Sequence, residues 1–465
     1  MRQFRTSVYF HRSLAVYVRR AFAVLVVVAP GAPTIARAQA TLDELVAIGL
    51  KQNLGQRQNE LAYLRANAVV DEARGRFLPS ATINARYTQT SGNVVNLGSL
   101  INPAFTALNT LTGGTNFPTN LDLQLPQRQE TSVRFAQPVF QPAVMESYRI
   151  ASRLRDAQGA QRDAQLRDLA AQLRNGYLQL TAARRVLDVY EATLPLMAEQ
   201  LRVTDGLVAA GKATPDAVFR ARAERSDVQQ HRDAAVQNVA AAARQLNFLL
   251  ERPLEADAPV IADSLLGIGE LPALAAVLAS ARGDREELRA IEWSRQAAAG
   301  ARRLALGNHL PAISLAVDYG VQGNKYEFTA DRAFTTASLV VSWSLFNGTQ
   351  DASRAAQAGL DERRLAAQEQ RAERLVALEV RQAHSAAELA RSAIATADDR
   401  VQAARRSYEF VRRRYELGGA PQLELLDSRT QLTSAELNRI LSDTDYRLRR
   451  VQLDRAAALY PRTMP

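Results

Sequence analysis

The chain has 465 residues, no cysteine, 6% aromatics and a formal net charge of +10. Without cysteine there is no disulfide, thiolate nucleophile or cysteine metal site. Arg2, Arg5, Arg12, Arg19, Arg20 and Arg37 precede residue 39 with no acid among them, and without those six the chain carries 52 bases against 48 acids. That remainder is too small and too dispersed for a phosphate-binding surface, which excludes nucleic acid as a partner.

The first segment reads as an export signal. Five arginines lie in residues 2–20, Ala21 to Ala29 is an unbroken apolar run, and Ala36-Arg37-Ala38 places small residues at a cleavage site. Residues 1–38 are thus predicted to be a signal peptide, with the mature chain starting at Gln39. The nine-residue run is far short of the roughly 20 residues of a spanning helix. Arg19-Arg20-Ala21-Phe22 also resembles a twin-arginine signal, although arginine pairs are frequent in this sequence, and the unfolded-chain route is the reading adopted.

The remainder reads as a tandem duplication with two halves, 39–250 and 272–460. Leu78-Pro79 followed by Tyr87 answers Leu310-Pro311 followed by Tyr319; Ser132 to Phe140 answers Ser338 to Phe346; Val208 to Gly211 answers Tyr415 to Gly418. Each half is predicted to run helix, strand, loop, strand, long helix, turn, helix.

A helix over 41–76 leads into the first strand, where Ala81, Ile83, Ala85 and Tyr87 alternate with polar residues. A loop from Gly92 to Gln129, rich in Asn, Thr and Gly, closes a β-hairpin over 80–140 whose second strand shows Val133, Phe135 and Val139. Next comes a helical hairpin over 143–250. Leu166, Leu173, Leu180, Leu187, Leu194 and Leu201 recur every seven residues, with Leu169, Ala183, Tyr190 and Met197 beside them, which is a heptad seam. Gly211 suits the left-handed end of the long helix, and Thr214-Pro215 suits the start of the next. Residues 251–271, with Pro253 and Pro259, read as an irregular equatorial linker.

The second half repeats this order with a helix over 272–306, a β-hairpin over 312–346 and a helical hairpin over 350–459. Ile313, Leu315, Val317, Tyr319 and Val321 alternate in its first strand, and Ala337, Leu339, Val341, Trp343 and Leu345 in its second. Val380, Ala387, Ile394, Val401 and Tyr408 keep the heptad register of the first half. Its loop, Gln322 to Phe334, is shorter.

Four strands of membrane length are too few for a closed barrel, since bacterial barrels start at about eight. Copies must therefore contribute jointly, with apolar faces toward lipid, Asn84, Arg86, Ser314 and Asp318 toward water, and Tyr87, Phe135, Tyr319 and Trp343 suited to interfacial girdles. The fold class predicted is an α+β membrane protein of duplicated long antiparallel helices with four strands per chain, giving a shared barrel of eight strands as a dimer or twelve as a trimer.

The duplication, the paired strands, Tyr415-Glu-Leu-Gly418 followed by Leu423 to Leu432, and the Gly211 to Glu224 stretch together resemble the TolC family of outer-membrane efflux and secretion channels. The resemblance covers nearly all of residues 40–460. It implies a homotrimer in outer-membrane lipid, four strands per chain contributing to a trimeric twelve-stranded β-barrel and the long antiparallel helices continuing it as an α-barrel into the periplasm, that passively exports substrates. These arrive from an inner-membrane transporter through a periplasmic adaptor docking on the helix tips, at Gly211, Pro215, Gly418 and Gly419.

It further implies a pore constriction at those tips. Glu424 and Asp427, three apart on one face of a helix's first turn, match the family's acidic ring; the alternative is that they only complement the helix dipole. Tyr415 matches a tyrosine that latches the closed tip onto an aspartate. An ungapped comparison puts Ala217 at that acidic position and Asp216 one residue early, and Ala420 stands where some members have a basic latch residue. Tyr415 could equally be a seam residue.

No enzyme is expected. His231, His309 and His384 are too scattered for a metal site or triad, no glycine-rich phosphate loop follows a strand, and no cofactor is implied. The alternative function is a periplasmic adaptor or a structural coiled-coil protein.

Overall fold

A computed structural model describes residues 42–89, 95–121, 124–125, 128–259, 270–323 and 327–460. The predicted signal peptide lies outside the described residues. The first half comprises helices α1 (Leu42–Gln52) and α2 (Leu54–Gly75), strand β1 (Ser80–Tyr87), and the short strands β2 (Val95–Asn96) and β3 (Gln124–Leu125) flanking helix α3 (Leu97–Thr112). Strand β4 (Gln129–Phe140) and helices α4 (Pro142–Ala209) and α5 (Pro215–Leu249) follow. The second half comprises α6 (Leu274–Asp284), α7 (Glu286–Gly307), β5 (Ala312–Gly323), β6 (Ala333–Ser342), α8 (Gln350–Glu416) and α9 (Gln422–Ala456).

At about 1.5 Å per residue, α4 and α8 each reach roughly 100 Å, and the shorter helices are stacked along them. α1 and α2 lie end to end on α4, α6 and α7 on α8, and the long helix of the first half also packs against α7 and α9 of the second. The heptad seam is buried where it meets these partners: Leu169, Leu173 and Leu180 in α4, and Val380 and Ala387 in α8.

The duplication extends to the core. Leu45, Leu169, Leu173, Leu180, Leu246 and Leu249 pack together in the first half, and Val277, Val376, Val380, Ala387, Leu453 and Ala456 pack together at the corresponding positions of the second. Four helix ends share one geometry as well. At the end of α4, Gly211 N–H donates to Val208 O (3.0 Å) and Lys212 N–H to Leu207 O (2.8 Å), with Gly211 at φ +66°. At the end of α8, Gly418 N–H donates to Tyr415 O (2.9 Å) and Gly419 N–H to Arg414 O (2.7 Å), with Gly418 at φ +79°. These are Schellman closures, which satisfy the last helical carbonyls and require a left-handed residue. The ends of α5 and α9 use Glu251 and Ala458 in the same way.

Two expected helices are each broken once. Asn53 accepts a hydrogen bond from Gln56 N–H (3.1 Å), capping α2, while its amide donates to Leu249 O (3.2 Å). At the corresponding break between α6 and α7, Arg285 Nη1 donates to Ala456 O (3.0 Å). Both breaks are made by a side chain reaching the last carbonyl of a helix distant in sequence, which no local pattern announces. The segment expected as a plain loop from Gly92 to Gln129 contains α3. Its Asn, Thr and Gly content, with Pro103 inside it, reads as loop and outweighs the helical spacing of its apolar residues.

Strand β2 pairs separately with β3, and the other four strands form an antiparallel sheet in the order β1-β4-β5-β6, with β4 and β5 joining the two halves. Its register puts Ala81, Ile83, Val133, Phe135, Val317, Tyr319, Ala337 and Leu339 on one face. Thr82, Asn84, Arg86, Glu130, Ser132, Arg134, Asp318 and Thr336 occupy the other. Gly320 allows close passage of β4, since a Cβ there would lie 2.4 Å from Thr131 O. Tyr87 lies at the far end of the sheet and Trp343 at the helical end, while Phe135 and Tyr319 lie within it.

Beyond the sheet, residues 251–259 of the expected linker fold back onto the helices. Asn247 donates to Leu254 O (3.1 Å) and Ala256 O (2.7 Å), and Ala258 enters the first core cluster.

Candidate functional site: the helix tips and the open sheet

The two hairpin tips are built alike and lie together. Pro215 begins α5 behind Thr214, Pro421 caps α9, and Gln422 Nε2 donates to Ala217 O (3.1 Å), tying the start of α9 to the first turn of α5. Arg429, almost fully buried, donates to Thr193 Oγ1 (3.0 Å) and lies over the Tyr408 ring (5.2 Å), joining α9 to both long helices. Leu425, Ser428 and Leu432 turn inward, so Glu424 and Asp427 are left on the outer side of the first turns of α9.

The two carboxylates have different partners. Arg414, in the last turn of α8, reaches across the tip to Glu424 (3.0 Å) and donates to Gly419 O (2.8 Å), clamping the turn. Asp427 is exposed and accepts from Gln431 Nε2 (2.8 Å). Glu424 is thus paired with a cation of its own chain, whereas the Asp427 carboxylate meets the neutral amide of Gln431. The sequence reading missed Arg414, although its position four residues before Gly418 puts it in the closing turn.

Asp216 and Tyr415 share no hydrogen bond within the chain. The Thr214 hydroxyl holds the Asp216 carboxyl below the usual carboxylate range, and Arg220 on the same helix pairs with it (3.1 Å). Three apolar side chains at the tips lie within the stretches that carry the resemblance but fall off the seam, so the sequence reading gives them no role: Phe219, Leu417 and Leu423 are 67%, 87% and 63% exposed. They flank Gly211, Pro215, Gly418 and Gly419, giving each tip an apolar surface.

At the other end, the polar sheet face carries charge pairs across strands: Arg86 with Glu130 (2.6 Å) and Arg134 with Asp318 (2.7 Å). The apolar face is bare. Ile83, Tyr87, Leu339, Val341 and Trp343 are all more than half exposed, and β1 and β6 are sheet edges. Such a sheet presents both unpaired backbone and uncovered apolar surface. Among the described residues, no cluster of His, Asp or Glu could hold a metal ion, and no helix is long and apolar enough to cross a membrane.

Comparison with known proteins agrees with this architecture. Residues 277–459 match the family model of the outer membrane efflux proteins. Among curated proteins, none matches the sequence significantly. Among solved structures, the chain is similar to CusC, with a TM-score of 0.75, 15% identity, and coverage of 90% of this chain and 92% of that one. It is also similar to the outer membrane protein VceC of Vibrio cholerae, with a TM-score of 0.71, 16% identity, and coverage of 90% and 95%. The open state of the MtrE outer membrane channel of Neisseria gonorrhoeae gives 0.71, 19%, and coverage of 90% and 88%.

Proposed function

We propose that this chain is an outer membrane efflux protein, a reading supported by the family match of its second half and the fold of the whole, and that three copies form the passive exit duct of a tripartite exporter. The observation that carries the reading is the open sheet. Four strands with two free edges and an uncovered apolar face are completed when β1 of one copy pairs with β6 of the next, giving twelve strands around one axis with the charge pairs facing the lumen. The stacked helices continue this duct away from the membrane, and the hairpin tips close it.

In this reading the tips have two roles. Phe219, Leu417 and Leu423, with the turns at Gly211, Pro215, Gly418 and Gly419, receive the periplasmic adaptor that couples the duct to an inner-membrane transporter. Asp427, with Glu424 held by Arg414, supplies carboxylates from each copy at the constriction and favours cations. Tyr415 and Asp216 flank the same opening. Two helical hairpins on one shared sheet do not support the periplasmic adaptor alternative.

Planar-bilayer recording tests the proposal. Purified protein is expected to insert and give discrete conductance steps, and a protein that leaves bilayers silent and fractionates with soluble periplasmic proteins contradicts it.

A further inference from the structure

Helix α3 stands out in a chain that is 23% charged, because residues 88–121 contain no Asp, Glu, Lys, Arg or His. It is nonetheless a built element. Asn96 accepts from Gly98 N–H (2.9 Å) at its start and Gly113, at φ +66°, ends it. Two asparagines on its inner side grip the returning segment reciprocally. Asn102 donates to Leu121 O (3.0 Å) and accepts from Leu121 N–H (2.9 Å); Asn109 donates to Phe117 O (2.7 Å) and accepts from Phe117 N–H (2.9 Å). Phe105 packs on Phe117 on that side, with ring centroids 5.5 Å apart.

The opposite face has no partner among the described residues. Leu100, Ala104, Ala107 and Leu111 are exposed, Leu100 at 71% and Leu111 at 84%, and with Leu97 they follow a 3-4-3-4 spacing. That spacing is the seam of a helix packed on other helices, and alanines at its centre permit close approach. Lipid fits this face poorly. Interfacial helices carry Lys or Arg beside Trp or Phe, and the exposed stripe here has none of them. α3 lies in the connection from edge strand β1 to β4, at the end of the sheet away from α2 and α4.

We infer that the α3 helices of three copies pack on one another through Leu100, Ala104, Ala107 and Leu111, forming an uncharged apolar collar over the outer mouth of the barrel. The inference rests on the trimeric reading above. With three-fold symmetry each helix meets its two counterparts, and anything leaving the duct passes this collar after the charged lumen.

The absence of native cysteine permits a direct test on the full-length complex. Leu111→Cys, and separately Ala104→Cys, are treated with a short bis-maleimide after the detergent complex has been weighed by light scattering. Thr106→Cys, on the other side of α3, serves as the control. Covalently linked copies are expected for the two seam positions and not for Thr106→Cys. A trimer in which both seam cysteines stay unlinked and label with aqueous maleimide as fast as Thr106→Cys overturns the collar alone. A complex that is not a trimer removes the reading beneath it.

Discussion

Gly49 of α1 lies against Leu173 of α4 so closely that a Cβ on Gly49 would sit 2.7 Å from Leu173 Cδ1. At the corresponding places of the second half, Ala281 shares a core cluster with Val380. The duplicated core has thus exchanged volume between facing positions: glycine opposite leucine in one half, alanine opposite valine in the other. Leu173 is fully buried and cannot swing aside. Gly49→Ala should therefore cost about 1–3 kcal/mol through overpacking, and adding Leu173→Val should recover most of it. Thermal unfolding of both variants decides the matter; a double variant no better than the single would show that the two positions are not coupled.

Arg167 and Glu286 form an ion pair between the halves at 2.8 Å, 5% and 1% exposed. Removing one member strands the other, so Glu286→Ala should cost about 3–5 kcal/mol, whereas replacing both with apolar residues should cost much less. Melting of the single and double variants, followed by helical ellipticity, gives the comparison. Equal losses would count against a stranded charge.

The same pair predicts a pH dependence. Burial pushes the Glu286 carboxyl above its ordinary 4.5, with Arg167 pulling only partly against it. A folded state that holds this proton more tightly than the unfolded chain gains stability that is complete below the ordinary carboxylate value and is lost as pH rises through the raised one. Glu287 runs the other way: its burial is outweighed by Arg285 and Arg455, so its contribution is lost as pH falls. Glu286→Gln should flatten the decline of melting temperature with rising pH above 4.5, and Glu287→Gln should leave that decline in place. A profile unaltered by Glu286→Gln would exclude it as the titrating group.

In the proposed duct, the Arg414–Glu424 pair sets the effective charge of the constriction. Asp427→Ala should lower cation selectivity in bilayers more than Glu424→Ala, and Arg414→Ala should raise it by freeing Glu424. Reversal potentials in a salt gradient measure this. The same selectivity in all three would remove the carboxylates from the pore.

Gly211 and Gly418 hold left-handed backbone that costs an L side chain roughly 1–2 kcal/mol. Nothing lies within 4 Å of a Cβ at either position, so Gly211→Ala and Gly418→Ala should strain the turn without steric clash. Faster hydrogen exchange confined to the last turns of α4 and α8 is the expected result. A change spread along the helices would point to a wider role.

Much of this architecture was legible in the sequence because it depends on short periods. Alternation in Ala81 to Tyr87 and Ile313 to Val321 marked strands with one apolar face, the leucine heptads marked α4, and matched glycines marked the tips. Helix α3 was missed because its Asn, Thr and Gly content and its internal Pro103 read as loop and outweighed the spacing of its apolar residues. The breaks at Asn53 and Arg285, and the pair Arg167–Glu286, depend on partners more than a hundred residues away. At the tips, the turns were legible and the pairing was not: Glu424 pairs with Arg414 and Asp427 with Gln431, and Asp216 turns to Thr214 and Arg220.

The central claim is that other copies of this chain complete the open sheet. Light scattering of the protein extracted from outer membranes, corrected for bound detergent, tests it most directly. A mass of three chains, lost when proline is placed in edge strand β1 at Ile83, is the predicted result. A detergent-independent monomer with the sheet intact would contradict it.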